Sequence, residues 1–371
     1  MKALVLSCNT GGGHNAAGIA VSEEFRRRGI QCERADTLKF GKKNTSRIVS
    51  NTYINIAKNT PRLFGGIYRI GAVVSSICNK SPVYFANTLY AENLYRYILE
   101  NEINAVVCPH LFPAEALTYL KYKHSDFSQH VKTYAVCTDY TCIPFWHELN
   151  VDAFFTPHSD LVAECVKKGI DKNKIEVTGI PVSHTFTEKL DKTAAREQLG
   201  LEKDKNIILV MTGSMGFGHI TDLCLGFLNS GTDNLQIIVL TGTNEKLFSR
   251  LSAMFSPDKV MPVSFTDRVS CYMDACDVLL TKPGGLSSTE AAVKNVPFIH
   301  TAPIPGCETL NAEFFSKRGM SLVAHNEKEI CELTLKLLYD KQAQLDMQKA
   351  QCKNINKFAA RDICDYILEH K

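Results

Sequence analysis

Short runs of β-branched and other apolar residues, separated by helix-forming stretches, recur along the chain in two series. This alternation constrains the fold more than any other feature. The first series falls at residues 3–7, 105–108, 132–136, 153–156 and 175–177, and the second at 207–211, 237–240, 278–280 and 298–300. Strands that alternate with helices in this way predict parallel sheets covered on both faces, hence an α/β fold. A chain of 371 residues is long enough for two such doubly wound domains. The segment "TGIPVSHTF" (178–186), with Gly, Pro and Ser ahead of a charged stretch, is the expected linker. Two domains of this kind are expected to face each other across a cleft, with ligands at the carboxyl ends of the strands.

The start, "MKALVLSCNTGGG", reads as a first strand rather than a signal peptide, and no run of eighteen apolar residues predicts a spanning helix. The 14 cysteines are scattered, include no C-x-x-C pair and mostly sit inside apolar runs, as Cys108 does in "AVVCPH". They read as reduced, buried thiols of a cytosolic protein rather than as a zinc set or a disulfide framework. The net charge of +3 says little, but its distribution says more.

From Thr37 to Ala91 there is no Asp or Glu. The stretch carries Lys39, Lys42, Lys43, Arg47, Lys58, Arg62, Arg69 and Lys80, interleaved with Phe40, Tyr53, Phe64, Tyr68, Tyr84 and Phe85. Basic residues mixed with aromatic ones suit an anionic bilayer surface, where each cation contributes roughly 1 kcal/mol. An ordinary helical insertion with solvated lysines is the competing reading. No nucleic-acid module is recognisable elsewhere, so no nucleic-acid partner is expected.

Four loops stand where strands should end. In "SCNTGGGHNAAGIA" (7–20), three glycines precede His14 at the start of an alanine-rich helix. The spacing is neither G-x-G-x-x-G nor a Walker sequence. A histidine at a helix start is placed to act as general base for a hydroxyl, with the helix dipole keeping its ring neutral. A plain polar helix-start residue is the alternative. The second loop, "MTGSMGFGH" (211–219), offers Gly213, Ser214 and Gly216 as backbone donors to a pyrophosphate. The third, "TKPGGLSSTEAAV" (281–293), turns at Pro283, Gly284 and Gly285 and leads into Ser287, Ser288 and Glu290. Ser287 and Glu290 have capping-box spacing, and a carboxylate there equally suits both hydroxyls of a ribose. The fourth, "TAPIPGCETLNAEFF" (301–315), carries Glu308 and Asn311, a carboxylate and an amide suited to sugar hydroxyls or to capping the next helix.

Taken in order, the GGGH loop, the "KPGGLS…E" turn and "PIPGCE…N" resemble the bacterial and plant UDP-sugar-dependent glycolipid synthases. These are the diacylglycerol glucosyltransferases and monogalactosyldiacylglycerol synthases, relatives of the peptidoglycan N-acetylglucosaminyl transferase. The resemblance spans nearly the whole chain and includes "CTDY" (137–140), Trp146 and "NVD" (150–152). It implies a GT-B fold of two Rossmann-like domains. Residues 1–183 would take the lipid acceptor, with 37–91 docking to the membrane, and 184–353 the UDP-sugar. Residues 354–371 would form a helix crossing back to the first domain.

Carried over by residue, the resemblance makes His14 the catalytic base, places Asp139 near the reaction centre and sets Gly13 and Trp146 among the acceptor and membrane contacts. Gly284, Gly285 and Ser287 would hold the diphosphate, with Pro283 and Ser288 also among the UDP-sugar-binding residues, Glu290 would take the ribose, and Glu308 and Asn311 the sugar and nucleotide. The implied reaction moves glucose or galactose from UDP-glucose or UDP-galactose to the hydroxyl of diacylglycerol, with inversion. The implied location is cytoplasmic, at the inner face of the cell membrane. Alternatives are N-acetylglucosaminyl or hexosyl transfer to another lipid-linked acceptor, and a non-catalytic UDP-sugar sensor. No D-x-D occurs in the chain, so no metal or other cofactor is expected. Two positions depart from the family pattern: Cys307 replaces a Gln, and Ile143 stands where the family commonly has His.

Overall fold

The computed structural model describes residues 1–8, 12–41, 80–211, 220–232, 234–301, 303 and 305–370. The chain divides into two compact units. One comprises Met1–His184, Pro305–Cys307 and Asn356–Lys371, the other Thr185–Ile304 and Glu308–Ile355.

The first unit is built on a parallel six-stranded sheet in the order β2-β1-β3-β4-β5-β6. Its strands are β1 (Lys2–Ser7), β2 (Gln31–Asp36), β3 (Ala105–Cys108), β4 (Lys132–Val136), β5 (Ala153–Thr156) and β6 (Ile175–Val177). Side chains alternate between two cores. Leu4, Leu6, Val106, Ala135 and Phe154 enter one, and Ala3, Val5, Val107, Tyr134, Val136 and Phe155 enter the other. This period of two is what a pleated strand buried on both faces requires, and each buried aliphatic side chain contributes roughly 1.5–3 kcal/mol.

Helix α1 (Gly12–Arg27) follows β1 and lies close against it. A Cβ on Gly18 would come within 3.0 Å of Val5 Cγ1 and 3.4 Å of Pro109 Cγ, so glycine permits the approach. The final helix, α7 (Ala359–Glu369), packs on this unit: Cys364 Sγ lies 3.8 Å from Val21 O, Asp365 pairs with Arg28, and Tyr366 meets Phe155 edge-on at 5.4 Å.

The second unit repeats the design in the order β12-β11-β10-β7-β8-β9. Here the strands are β7 (Asn206–Met211), β8 (Leu235–Gly242), β9 (Val260–Ser264), β10 (Val278–Thr281), β11 (Phe298–Thr301) and β12 (Leu322–Ala324). Ile208, Val210, Ile237, Val239, Val278, Leu280 and Ile299 carry one face into its core.

In both sheets the order of strand addition reverses beside the first strand, between β1 and β3 and between β7 and β10. The segments leaving those strands diverge at the carboxyl edge and leave a crevice there, the usual ligand position in doubly wound sheets. The loops after β1, β3, β7 and β10 are therefore the places to look.

Candidate active site

In the first unit the loops after β1, β3 and β4 converge on His14. Its Nδ1 lies 2.9 Å from the carbonyl oxygen of Pro109 and 2.9 Å from Thr138 Oγ1. A carbonyl oxygen only accepts, so Nδ1 carries the hydrogen and the lone pair of the neutral ring resides on Nε2. Burial holds the imidazole below its ordinary value, opposed by the charge of Asp139 and by the Pro109 hydrogen bond. The base form therefore dominates at neutral pH.

His110 stands edge-on to His14, with ring centroids 4.6 Å apart. Its Nδ1 accepts the backbone N–H of Phe112 at 3.1 Å and caps helix α2 (Leu111–Lys123). Burial and the neighbouring His14 keep its pKa far below the ordinary value. With its Nδ1 lone pair committed to the cap, His110 is a wall of the site and not its base. On the other side, Ser7 Oγ donates to Asn15 Oδ1 at 2.5 Å and joins the end of β1 to the start of α1.

In the second unit β10 ends at Thr281 and the chain turns through Lys282 and Pro283 into helix α5 (Gly285–Val293). Its N-cap is Gly284, and no side chain caps it. The capping-box reading of Ser287 and Glu290 is thus corrected: Ser287 lies inside the first turn. The first intrahelical bond is Ser288 N–H to Gly284 O at 3.0 Å. The N–H groups of Gly285, Leu286 and Ser287 precede it and, with the helix dipole, favour an anion. A Cβ on Gly284 would meet nothing within 4 Å, and φ −71° is open to any residue. The fold itself does not demand glycine there, whereas a ligand approaching the backbone would.

Three side chains fix this turn from behind. Asn311, fully buried on helix α6 (Cys307–Lys317), donates from Nδ2 to Pro283 O at 3.0 Å. Thr289 Oγ1 donates to Gly285 O at 2.7 Å. Ser288 Oγ lies 2.8 Å from His300 Nε2, and His300 Nδ1 lies 3.1 Å from Ser321 Oγ. Burial pushes His300 down to about 3, so this chain of hydroxyls and imidazole is uncharged. Ser288 faces the interior rather than a ligand, which corrects its reading as a binding group. Glu290 is 8% exposed, and burial raises its carboxyl to about 8. Glu308 lies in the first turn of α6 and is half-buried.

Trp146 is corrected as well. It is 3% exposed and packs on Phe154 at 5.8 Å inside the core of the first unit, not on an acceptor or membrane surface. Gly13 lies in the first turn of α1 beside His14. Gly213, Ser214 and Gly216, together with Lys42, Lys43, Arg47, Tyr53, Phe64, Tyr68 and Arg69, fall outside the described residues. The acid-free segment re-enters at Lys80, whose ammonium donates to Glu148 O at 2.7 Å and lies over the Tyr84 ring. The helix Pro82–Thr88 that follows leaves Phe85 60% exposed, with Leu89 just beyond it 77% exposed.

Sequence reasoning missed Thr138, Pro109 and His300. Thr138 was within reach, because it immediately precedes Asp139. Among the described residues no group of three or more His, Cys, Asp or Glu side chains is arranged to hold a metal ion. No helix among them is long and apolar enough to cross a membrane.

Known protein families match both halves of the chain. Residues 14–182 match the Monogalactosyldiacylglycerol (MGDG) synthase family model, and residues 207–365 match the Glycosyltransferase family 28 C-terminal domain. A processive diacylglycerol beta-glucosyltransferase of Bacillus thuringiensis (strain Al Hakam) is 28% identical over 376 residues, covering 99% of this chain and 93% of the relative. The crystal structure of Acinetobacter baumannii MurG shares the fold with a TM-score of 0.62 at 14% identity, covering 99% of each chain. The S. aureus MnaA–UDP structure does so with a TM-score of 0.64 at 13% identity, covering 99% of this chain and 96% of that one. The fold is GT-B, and the chain is a glycosyltransferase that joins a region matching the MGDG synthase model to a Glycosyltransferase family 28 C-terminal domain.

Proposed function

We propose that the protein transfers glucose from UDP-glucose to the free hydroxyl of diacylglycerol, inverting the anomeric carbon without a metal ion. The observation that carries this reading is the tautomer of His14. With Nδ1–H held by Pro109 O, the ring presents a lone pair on Nε2. That lone pair takes the proton of the acceptor hydroxyl as its oxygen attacks C1 of the sugar. The bond from C1 to the diphosphate oxygen breaks, and UDP leaves with the electron pair. The N–H groups of Gly285, Leu286 and Ser287 and the α5 dipole meet the charge on the leaving diphosphate. Glu290 takes the two ribose hydroxyls, Glu308 lies toward the sugar, and Asn311 keeps the Pro283 turn in place. Asp139 stabilises the imidazolium that forms, since its charge already opposes the lowering of the His14 pKa.

Glucose is supported by the names of the relatives. Galactose is the second reading, favoured by the MGDG synthase match. Cys307, which replaces the family's Gln with a weak hydrogen-bonding thiol, bears on that choice. Phe85 and Leu89, exposed at the end of the acid-free segment, support docking to an anionic membrane surface on its cytoplasmic side.

The test supplies diacylglycerol in anionic vesicles with UDP-glucose, UDP-galactose or UDP-N-acetylglucosamine, with and without chelator. Equal amounts of UDP and β-glucosyl-diacylglycerol, indifferent to chelator, are expected. UDP-sugar binding with no turnover of any donor would instead make the protein a sensor.

A further inference from the structure

His14 Nδ1 carries one hydrogen and faces two oxygens. Pro109 O and Thr138 Oγ1 each lie 2.9 Å from it. The two come from neighbouring strands: Pro109 immediately follows β3, and Thr138 stands two residues beyond β4. Both residues are buried, Thr138 at 8% exposure. The loop that carries Thr138 is held on either side of it. Cys137 N–H donates to Phe155 O at 2.9 Å and so ties the end of β4 to β5. Beyond Thr138, Glu164 of helix α3 (Val162–Lys167) accepts from Thr141 Oγ1 at 3.0 Å and from Cys142 N–H at 3.3 Å. The Thr138 hydroxyl is thus presented to the ring by backbone that is anchored before and after it.

We propose that Thr138 is a positioning residue for transfer: its hydroxyl oxygen shares the His14 Nδ1–H with Pro109 O, fixes where Nε2 points and stabilises the imidazolium formed in the reaction. The inference rests on the reading of His14 as the base. The Pro109 carbonyl selects the tautomer by itself, but one acceptor leaves the ring free to tilt about a single contact. A second acceptor from another strand sets the direction of the N–H, and with it the direction of the lone pair on the opposite nitrogen. During transfer the acceptor O–H bond breaks, an Nε2–H bond forms and the ring gains a positive charge. The Nδ1–H then becomes a charge-assisted donor, and both oxygens bind it more strongly than in the resting enzyme. An interaction that strengthens as the reaction proceeds raises kcat rather than substrate affinity. It also offsets the burial that weakens the ring as a base. Among the described residues the titratable groups acting on His14 are Asp139, on the same loop, and His110, edge-on to it. Both stay in place when Thr138 is changed.

The experiment compares the full chain with Thr138→Val, which keeps the shape and loses the hydroxyl, and Thr138→Ser, which keeps the hydroxyl. Transfer to diacylglycerol in vesicles is followed against pH with UDP-glucose saturating. Thr138→Val should bind UDP-glucose within twofold of the parent and turn over about 5- to 30-fold more slowly. Its acid limb of kcat/KM for diacylglycerol should move down by about 0.5–1 pH unit, because the imidazolium has lost an acceptor. Thr138→Ser should restore both to within about threefold and about 0.3 pH unit of the parent. Thr138→Ala takes the place of Thr138→Val, with the same expected shifts, if the valine variant folds poorly. The 15N shifts of the His14 ring, assigned against His14→Ala, read the same quantity without turnover: an Nδ1–H tautomer in the parent and a lower titration midpoint in Thr138→Val. Parental turnover in Thr138→Val, a slower variant with the acid limb unmoved, a serine variant no better than valine, or an Nε2–H tautomer in the parent would each overturn the inference. If His14→Ala retains transfer, the base reading falls and this inference with it. If His14→Ala loses transfer while Thr138→Val keeps the parental rate and pH profile, this inference alone falls.

Discussion

Glu290 gives the sharpest quantitative prediction. Burial raises its carboxyl to about 8, so the unliganded protein holds it protonated at neutral pH. Accepting both ribose hydroxyls requires a carboxylate, because two donors need two acceptors. UDP-glucose binding therefore expels a proton, and the observed Kd scales as 1 + 10^(pKa − pH). From pH 8 to pH 6.5 this weakens binding about 16-fold, or about 1.6 kcal/mol. UDP-glucose is the right probe because its diphosphate diester keeps a constant charge over this range, whereas the terminal phosphate of UDP titrates. Calorimetry without acceptor, in two buffers of different ionisation enthalpy, reads the proton directly: nearly one released at pH 6.5, about half at pH 8. Glu290→Gln should flatten the pH dependence and abolish the release. Binding that is pH-independent and proton-neutral in the parent chain would refute the assignment of Glu290 to the ribose. The same shift has a stability consequence. Between the ordinary 4.5 and about 8 the folded chain keeps a proton that the unfolded chain has lost. The stability linked to this group is therefore full below pH 4.5 and is lost as the pH rises to about 8.

Gly284→Ala separates ligand from fold. The new Cβ has no neighbour within 4 Å, so stability should change by no more than about 0.5 kcal/mol in urea titration, while donor KM rises at least tenfold. Lys294 and Asp274 form a 2.6 Å ion pair, each side chain 1% exposed, far from the proposed chemistry at the amino edge of the second sheet. Lys294→Met should cost about 3–5 kcal/mol by stranding the carboxylate, and Asp274→Leu in the same chain should recover most of that loss in equilibrium unfolding.

The strands that the sequence makes legible are those buried on both faces, together with one edge strand, β6, at 175–177. Apolar-rich runs at 105–108, 132–136 and 153–156 correspond residue for residue to β3, β4 and β5, because a central parallel strand is buried on both faces and is filled mostly by apolar side chains. The strands it hides, β2, β9 and β12, are all sheet edges. β2 reads "QCERAD", β9 contains Pro262 and β12 is three residues long; an edge strand tolerates polar residues, a missing N–H and brevity.

The site divides in the same manner. His14, Gly284 and Glu290 announce themselves because glycine and charge at a strand end have few structural uses. The roles of Ser288, Asn311 and Trp146 depend on which way a side chain turns from its helix or loop, and a motif does not carry that direction. Ser288 differs from its neighbour Ser287 only in the partner it meets, His300, which lies in the next strand and is invisible as a partner in one dimension.

The most direct test of the account is the His14→Ala variant, assayed for UDP-glucose binding and for glucosyl transfer to diacylglycerol. The account predicts an unchanged donor Kd and a kcat lower by roughly 10²–10⁴-fold. It also predicts that in the parent chain, with UDP-glucose saturating so that Glu290 is already ionised, the acid limb of kcat/KM for diacylglycerol lies below pH 6.5, since burial lowers the His14 pKa from that value. Transfer by the variant within a few-fold of the parent, with the acid limb in place, would contradict it and remove His14 from the chemistry.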